Sequence, residues 1–203
     1  MHKGRLEAFS DGVLAIIITI MVLEIKVPHG RGTLADLQPL VPVFLSYVLS
    51  FIYIGIYWNN HHHLLSGATR VSGGVLWANL HLLFWLSLVP FVTGWMGQNG
   101  FAPATFTLYG LVLLMAGVAY WILQSTIIRQ SGPDSALAHA IGRDLKGKAS
   151  PPLYIAGILA SLWLPWLAGA IYVFVAFMWL IPDRRIERSL AHQSEAPRPH
   201  GAP

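Results

Sequence analysis

The chain contains no cysteine. It therefore has no disulfide framework and no thiolate chemistry. Charge is also scarce: 11% of its 203 residues are Asp, Glu, Lys or Arg, against roughly 25% in soluble domains. Apolar sequence takes their place. The chain is 55% hydrophobic with eight Trp, and its mean hydropathy is +0.56. That balance excludes an ordinary soluble globule and predicts a membrane protein whose main surroundings are a lipid bilayer. The formal net charge of +4 then reads as Lys and Arg retained on one face of the bilayer. No nucleic-acid partner is expected.

A spanning helix needs about 20 mostly apolar residues. Six segments qualify, some barely: Glu7–Val27, Pro39–Leu65, Ser72–Met96, Pro103–Ile128, Pro151–Leu164 and Pro165–Ile181. Turn chemistry separates them, in PHGRG at 28–32, SGATRVSGG at 66–74, GQNG at 97–100 and the polar stretch 129–150. The first span is not a cleaved signal peptide by these signs. Glu7 and Asp11 stand where such a leader is basic, and no small-x-small site follows the apolar run.

Residues 153–182 fit either one tilted helix or two short ones, and charge separates the two. With six spans and the N-terminus inside, Lys3, Arg5, Arg70, Arg129, Arg143, Lys146, Lys148, Arg184, Arg185, Arg188 and Arg198 share the cytoplasmic side. Only Lys26 and Arg31 lie opposite. Five spans would divide the thirteen cations almost evenly. The positive-inside rule therefore predicts an all-α, polytopic protein of six transmembrane helices with both termini cytoplasmic. Residues 1–182 form the membrane domain, and the polar, Pro-rich 183–203 form a tail.

This topology brings the polar residues of the first three spans to one depth. Ser10 and Asp11 lie in the cytoplasmic third of span 1. Trp58, Asn59, Asn60 and His61–His63 end span 2, and Asn79 and His81 begin span 3. A carboxylate in the bilayer needs a partner. His61 and Asn79 are candidates for Asp11, with Arg5 approaching from below. Such a network either staples three helices together or senses protons. The run HHH does not predict a metal site, because successive helical residues point about 100° apart. No cofactor is expected, and neither a nucleophile–base pair nor a set of His boxes points to an enzyme.

On a helical wheel, Phe9, Gly12, Ile16, Thr19 and Leu23 form one stripe of span 1, with Ile20 beside it. Periodicity alone leaves open whether the stripe packs or lines a pore. The Thr19 hydroxyl has a local acceptor in the Ala15 carbonyl. Glu24 is either part of an anionic ring at an outer mouth or an interfacial residue beside Lys26. Trp95, Trp163 and Trp166 suit the outer interface.

The stretch RLEAFSD fits an R-x-x-x-F-S-D signature at Arg5, Phe9, Ser10 and Asp11. WNNH fits a later W-x-x-H at Trp58 and His61, and ANLHLLFWLSLVPF carries Asn79 and Pro90 in a matching third helix. In these features the chain resembles the transmembrane protein 175 family, the endolysosomal potassium channels and their bacterial relatives. The single F-S-D copy resembles the bacterial branch, which implies a homotetramer in the bacterial inner membrane with four first helices around a potassium pore. The resemblance implies an apolar constriction at Ile16, a hydroxyl layer at Thr19 where potassium rests transiently, and bulky apolar residues at Ile20 and Leu23. It also implies that Arg5, Phe9, Ser10, Asp11, Trp58, His61 and Asn79 support the pore helix. Family members often carry Leu at the constriction, where this chain has the stiffer, β-branched Ile. Selectivity for potassium over sodium should be modest, since few neutral oxygens act at once. A proton-coupled transporter using Asp11, His61 and His81 is the alternative.

Overall fold

The computed structural model describes residues 2–29, 32–68, 70–132, 135, 138 and 145–180. The expected tail 183–203, the predicted last residue of span 6, Ile181, and the cations Arg31 and Arg143 lie outside them.

Helix α1 covers Lys3–Val22, shifted toward the N-terminus of the predicted span. After it, a 3-10 turn at Leu34–Leu40 opens on a reciprocal capping box between Thr33 and Asp36. The Thr33 N–H donates to the Asp36 carboxylate at 2.9 Å. Helix α2, Val41–Ser66, follows directly.

The predicted third span is two helices, α3 at Gly73–Ser87 and α4 at Val89–Gln98. Pro90 is the cause. It has no N–H to offer the Leu86 carbonyl, and its ring crowds that turn, so the ladder breaks at Leu88. Ser72 caps α3 by accepting from the Val75 N–H at 3.4 Å, and the Gln130 side chain also reaches the Ser72 hydroxyl. The start of α3 is thereby fastened to the end of α5, Pro103–Ser131.

Two short helices follow, α6 at Leu145–Ser161 and α7 at Pro165–Leu180. This is the two-helix reading of 153–182, with Pro165 opening the second. Helix α6 begins before the predicted Pro151 and carries Pro151 and Pro152 within it. Three units are long and apolar enough to cross a membrane: Leu34–Ser66, Gly73–Gln98 and Pro103–Ser131. Counting α3 and α4 as one broken helix, the protein is all-α, with six α-helices of this kind and no strand among the described residues.

Helix α1 packs on α2, α3 and α4, whereas α5 packs on α3, α4 and α6, and α7 folds back on α6 and α2. The core between α2, α5, α6 and α7 is built from tyrosines. Tyr172 is wedged between two glycines: a Cβ added to Gly110 or to Gly157 would collide with its side chain. Its hydroxyl donates to the Phe106 carbonyl at 3.1 Å, and Tyr53 donates to the Tyr172 carbonyl at 2.6 Å. Nearer α4, the Ser50 hydroxyl bonds Thr93 at 2.6 Å and Tyr109 at 2.9 Å. Among the described residues, no buried side-chain N or O lacks a partner. In a low-dielectric setting that satisfaction matters, because an orphaned polar group has no water to turn to.

Candidate functional site

Helix α1 has two faces. Leu6, Ser10, Leu14, Ile17 and Met21 recur at helical spacing and are buried against α2–α4. Among the described residues, the opposite stripe has no partner. Phe9, Gly12, Ile16, Thr19 and Ile20 are exposed, and so is Leu23 at the C-cap. Ile16 is 58% exposed, while its neighbour Ile17 is 4% exposed. The predicted stripe is thus a continuous, largely apolar surface without a partner among the described residues. In a membrane protein such a surface meets lipid, a water-filled lumen or another copy of the chain, and other helices carry equally exposed apolar residues, such as Phe91 and Trp121.

Thr19 is the stripe's polar group. Its hydroxyl lies 3.1 Å from the Ala15 carbonyl and 2.9 Å from the Ile16 carbonyl, donating to this pair. Its single proton is therefore committed to the backbone. The lone pairs left on the exposed oxygen can accept from water or coordinate a cation, but the group has no second proton to offer.

The polar residues behind α1 form two separate arms. In the first, Asn79 Nδ2 donates to Ser10 Oγ at 2.9 Å, and Asn79 Oδ1 meets His61 Nε2 at 2.7 Å. Ser10 passes its own proton to the Leu6 carbonyl at 2.9 Å. All three side chains are buried. In the second arm, Trp58 Nε1 donates to Asp11 Oδ1 at 3.1 Å. Asp11 therefore bonds neither His61 nor Asn79, in contrast to the pairing expected from sequence. The reason is angular. Ser10 and Asp11 are adjacent on the helix and point about 100° apart, so only one of them can face Asn79.

Arg5 is exposed and bonds no side chain among the described residues. Its expected approach to Asp11 is not formed. The cation that anchors this end is Lys3, which the sequence did not single out. Lys3 Nζ donates to the Ser66 carbonyl at 2.6 Å and lies 4.0 Å from Glu7. His81 takes its own partner, accepting from Trp85 Nε1 at 3.0 Å one turn away. Asp11, His61 and His81 thus hydrogen-bond to three different groups.

At the other end of α1, Glu24 is half-buried and turned toward α4 rather than along the stripe. Gln98 Nε2 donates to Glu24 Oε2 at 3.2 Å. The carboxylate lies so close to Gly94 that a Cβ there would sit 2.8 Å from Oε2. Both ends of α1 are therefore fixed by polar contacts, Lys3 to α2 and Glu24 to α4, while one face stays bare.

Comparison with known proteins bears on this helix directly. The family model for the endosomal/lysosomal potassium channel TMEM175 matches residues 5–90, which takes in the stripe and both polar arms. A potassium channel from Chryseobacterium sp. (strain P1-3) is 56% identical over 190 residues, covering 94% of this chain and 98% of its own. A potassium channel from Chamaesiphon minutus is 31% identical over 192 residues, covering 88% and 94%. The crystal structure of a lysosomal potassium-selective channel TMEM175 homolog from Chamaesiphon minutus superposes with a TM-score of 0.77 at 29% identity, covering 90% of this chain and 97% of that one.

Proposed function

The chain belongs to the family of the endosomal/lysosomal potassium channel TMEM175, a multi-pass membrane protein and not an enzyme, and on that premise we propose that it conducts potassium through a pore lined by four copies of α1. The observation that carries this reading is the contrast on α1 between buried Ile17 and bare Ile16. Four-fold assembly around an axis gives each exposed stripe its missing surroundings, namely the pore lumen and the neighbouring subunits.

In that assembly a ring of four Ile16 side chains narrows the lumen. A dry apolar neck blocks ions without a lid, because a hydrated cation entering it loses water and gains nothing. Conduction requires the ring to widen or turn. Potassium then meets four Thr19 oxygens, each with its proton held by the backbone. Neutral oxygens in a flexible ring replace part of the hydration shell and give a modest preference for potassium over sodium. Ile20 and Leu23 continue the apolar wall. The Ser10–Asn79–His61 and Asp11–Trp58 arms hold the wall in place.

Both termini face the cytoplasm of the bacterial inner membrane in this reading, as the distribution of Lys and Arg favours. Proton-coupled transport is disfavoured by the separate partners of Asp11, His61 and His81. The test is flux. Protein reconstituted in liposomes passes potassium down its gradient with no coupled ion. Uptake that saturates and requires a pH gradient would contradict the proposal.

A further inference from the structure

Away from α1, a cavity of about 410 Å3 opens between α2, α5, α6 and α7, and no residue of α1, α3 or α4 lines it. Its volume lies within the roughly 300–1,000 Å3 of ligand sites. Its shape is informative. Along α5 the lining runs from Gly117 to Ile128, about 16 Å at ~1.5 Å per residue. That is about half of the ~30 Å hydrocarbon core, the depth of one leaflet.

The chemistry is graded along this length. By position along their helices, Tyr53, Tyr57 and Tyr154 line one end, and Ser125, Lys148 and Trp179 line the other, toward the end of α5, the start of α6 and the end of α7. Trp179 is committed, donating to the Ser150 hydroxyl at 2.8 Å. Lys148 is exposed, and neither its ammonium nor the Ser125 hydroxyl has a protein partner among the described residues. Among the described residues, no carboxylate lines the cavity to neutralise the ammonium. An aromatic slot one leaflet deep, with an unpaired cation and a Trp at one end, matches an amphiphile standing in the membrane with an anionic head.

We infer that this cavity holds an acyl chain of an anionic phospholipid, with its phosphate against Lys148 and its ester region beside Ser125. The lipid comes from the cytoplasmic leaflet, an assignment that rests on the orientation proposed above. Its placement bears on the pore helix. Asn60 lines the same cavity and directly precedes His61, which holds Asn79 and through it Ser10 of α1. An occupant therefore braces the turn of α2 from which α1 is hung.

Native mass spectrometry of the delipidated full-length protein in detergent tests this without any flux measurement, so its failure is separate from failure of the channel reading. The probes are phosphatidylglycerol, phosphatidylcholine of the same chains, and soluble glycerol phosphate. The wild-type protein should bind phosphatidylglycerol at least tenfold more tightly than phosphatidylcholine and should not retain glycerol phosphate. Lys148→Glu, at an exposed position, should abolish the preference between the two lipids. Ser125→Phe should weaken both. Equal affinity for the two lipids in the wild type would overturn the proposal, and so would a preference that survives Lys148→Glu. Retention of glycerol phosphate as tight as that of the lipid would reduce the cavity to an anion site and overturn it as well. If Ser125→Phe does not fold, Lys148→Glu decides alone.

Discussion

Asn79 donates its side-chain amide to the Ser10 hydroxyl at 2.9 Å, joining residues 69 positions apart. Both are completely buried, and Asn79 also meets His61. One side chain on α3 thus connects α1 to α2. Asn79→Ala leaves the buried His61 Nε2 without its partner and removes the amide that Ser10 accepts, while Ser10 keeps its bond to the Leu6 carbonyl; an orphaned buried polar group costs about 1–3 kcal/mol. The detergent-solubilised variant should unfold at a clearly lower temperature than the wild type. An unchanged melting temperature would show that the bridge is ornamental.

The Trp58–Asp11 bond makes a finer prediction. Asp11→Asn keeps an oxygen to accept the indole N–H, whereas Asp11→Ala does not. Tetramer yield should fall in both and fall further in Asp11→Ala, while the potassium/sodium reversal potential stays in place. Combined with Trp58→Phe, Asp11→Ala should show a coupling of roughly 0.5–1 kcal/mol, as polar pairs between membrane helices do. Strictly additive effects would dissolve the pair. Altered selectivity in intact tetramers would move Asp11 from support to permeation.

In the proposed pore, Thr19 acts through an oxygen whose proton is donated to the backbone. Thr19→Ala removes the oxygen and should shift the bi-ionic reversal potential toward equal permeability. Thr19→Ser retains oxygen and backbone acceptors alike and should preserve the wild-type value. The same reversal potential in all three proteins would contradict a hydroxyl layer.

Glycine positions separate packing from permissiveness. Gly110→Ala and Gly157→Ala each drive a methyl into Tyr172 and should lower thermal stability markedly. At Gly117 the nearest atoms to a new Cβ are at 3.8 and 3.9 Å, ordinary contact. Gly117→Ala should therefore be neutral or stabilising by up to about 1 kcal/mol, the helix-propensity difference. Thermal unfolding of the three variants side by side checks the wedge, and equal losses would refute it.

Much of this was legible in the sequence, and the limits are physical. The stripe on α1 could be placed because helical periodicity fixes which residues share a face. The two-helix ending followed from Pro165 and from the one-sided distribution of cations. Pairing was harder. Ser10, Asp11, Trp58, His61 and Asn79 were all expected at one depth, yet a shared depth does not fix the angle, so Asp11 was assigned to the wrong neighbours. The break at Leu88 had a signal in Pro90 that the unbroken hydropathy of 72–96 concealed. Pro151 pointed to a helix start, because Pro favours the first turn, but α6 had already begun. The tyrosine core escaped notice altogether. Its members come from four helices, and no periodicity within one helix reports on the other three.

The central claim is that the bare face of α1 lines the ion pathway, and a chain without cysteine offers a clean test. Ile16→Cys and Ile17→Cys place one thiol each on the exposed and buried faces of the same turn. Potassium flux into liposomes is measured before and after a water-soluble, positively charged thiosulfonate is added. The account predicts that flux through Ile16→Cys is blocked and flux through Ile17→Cys is untouched. Block at Ile17→Cys with Ile16→Cys unaffected would put the pathway elsewhere.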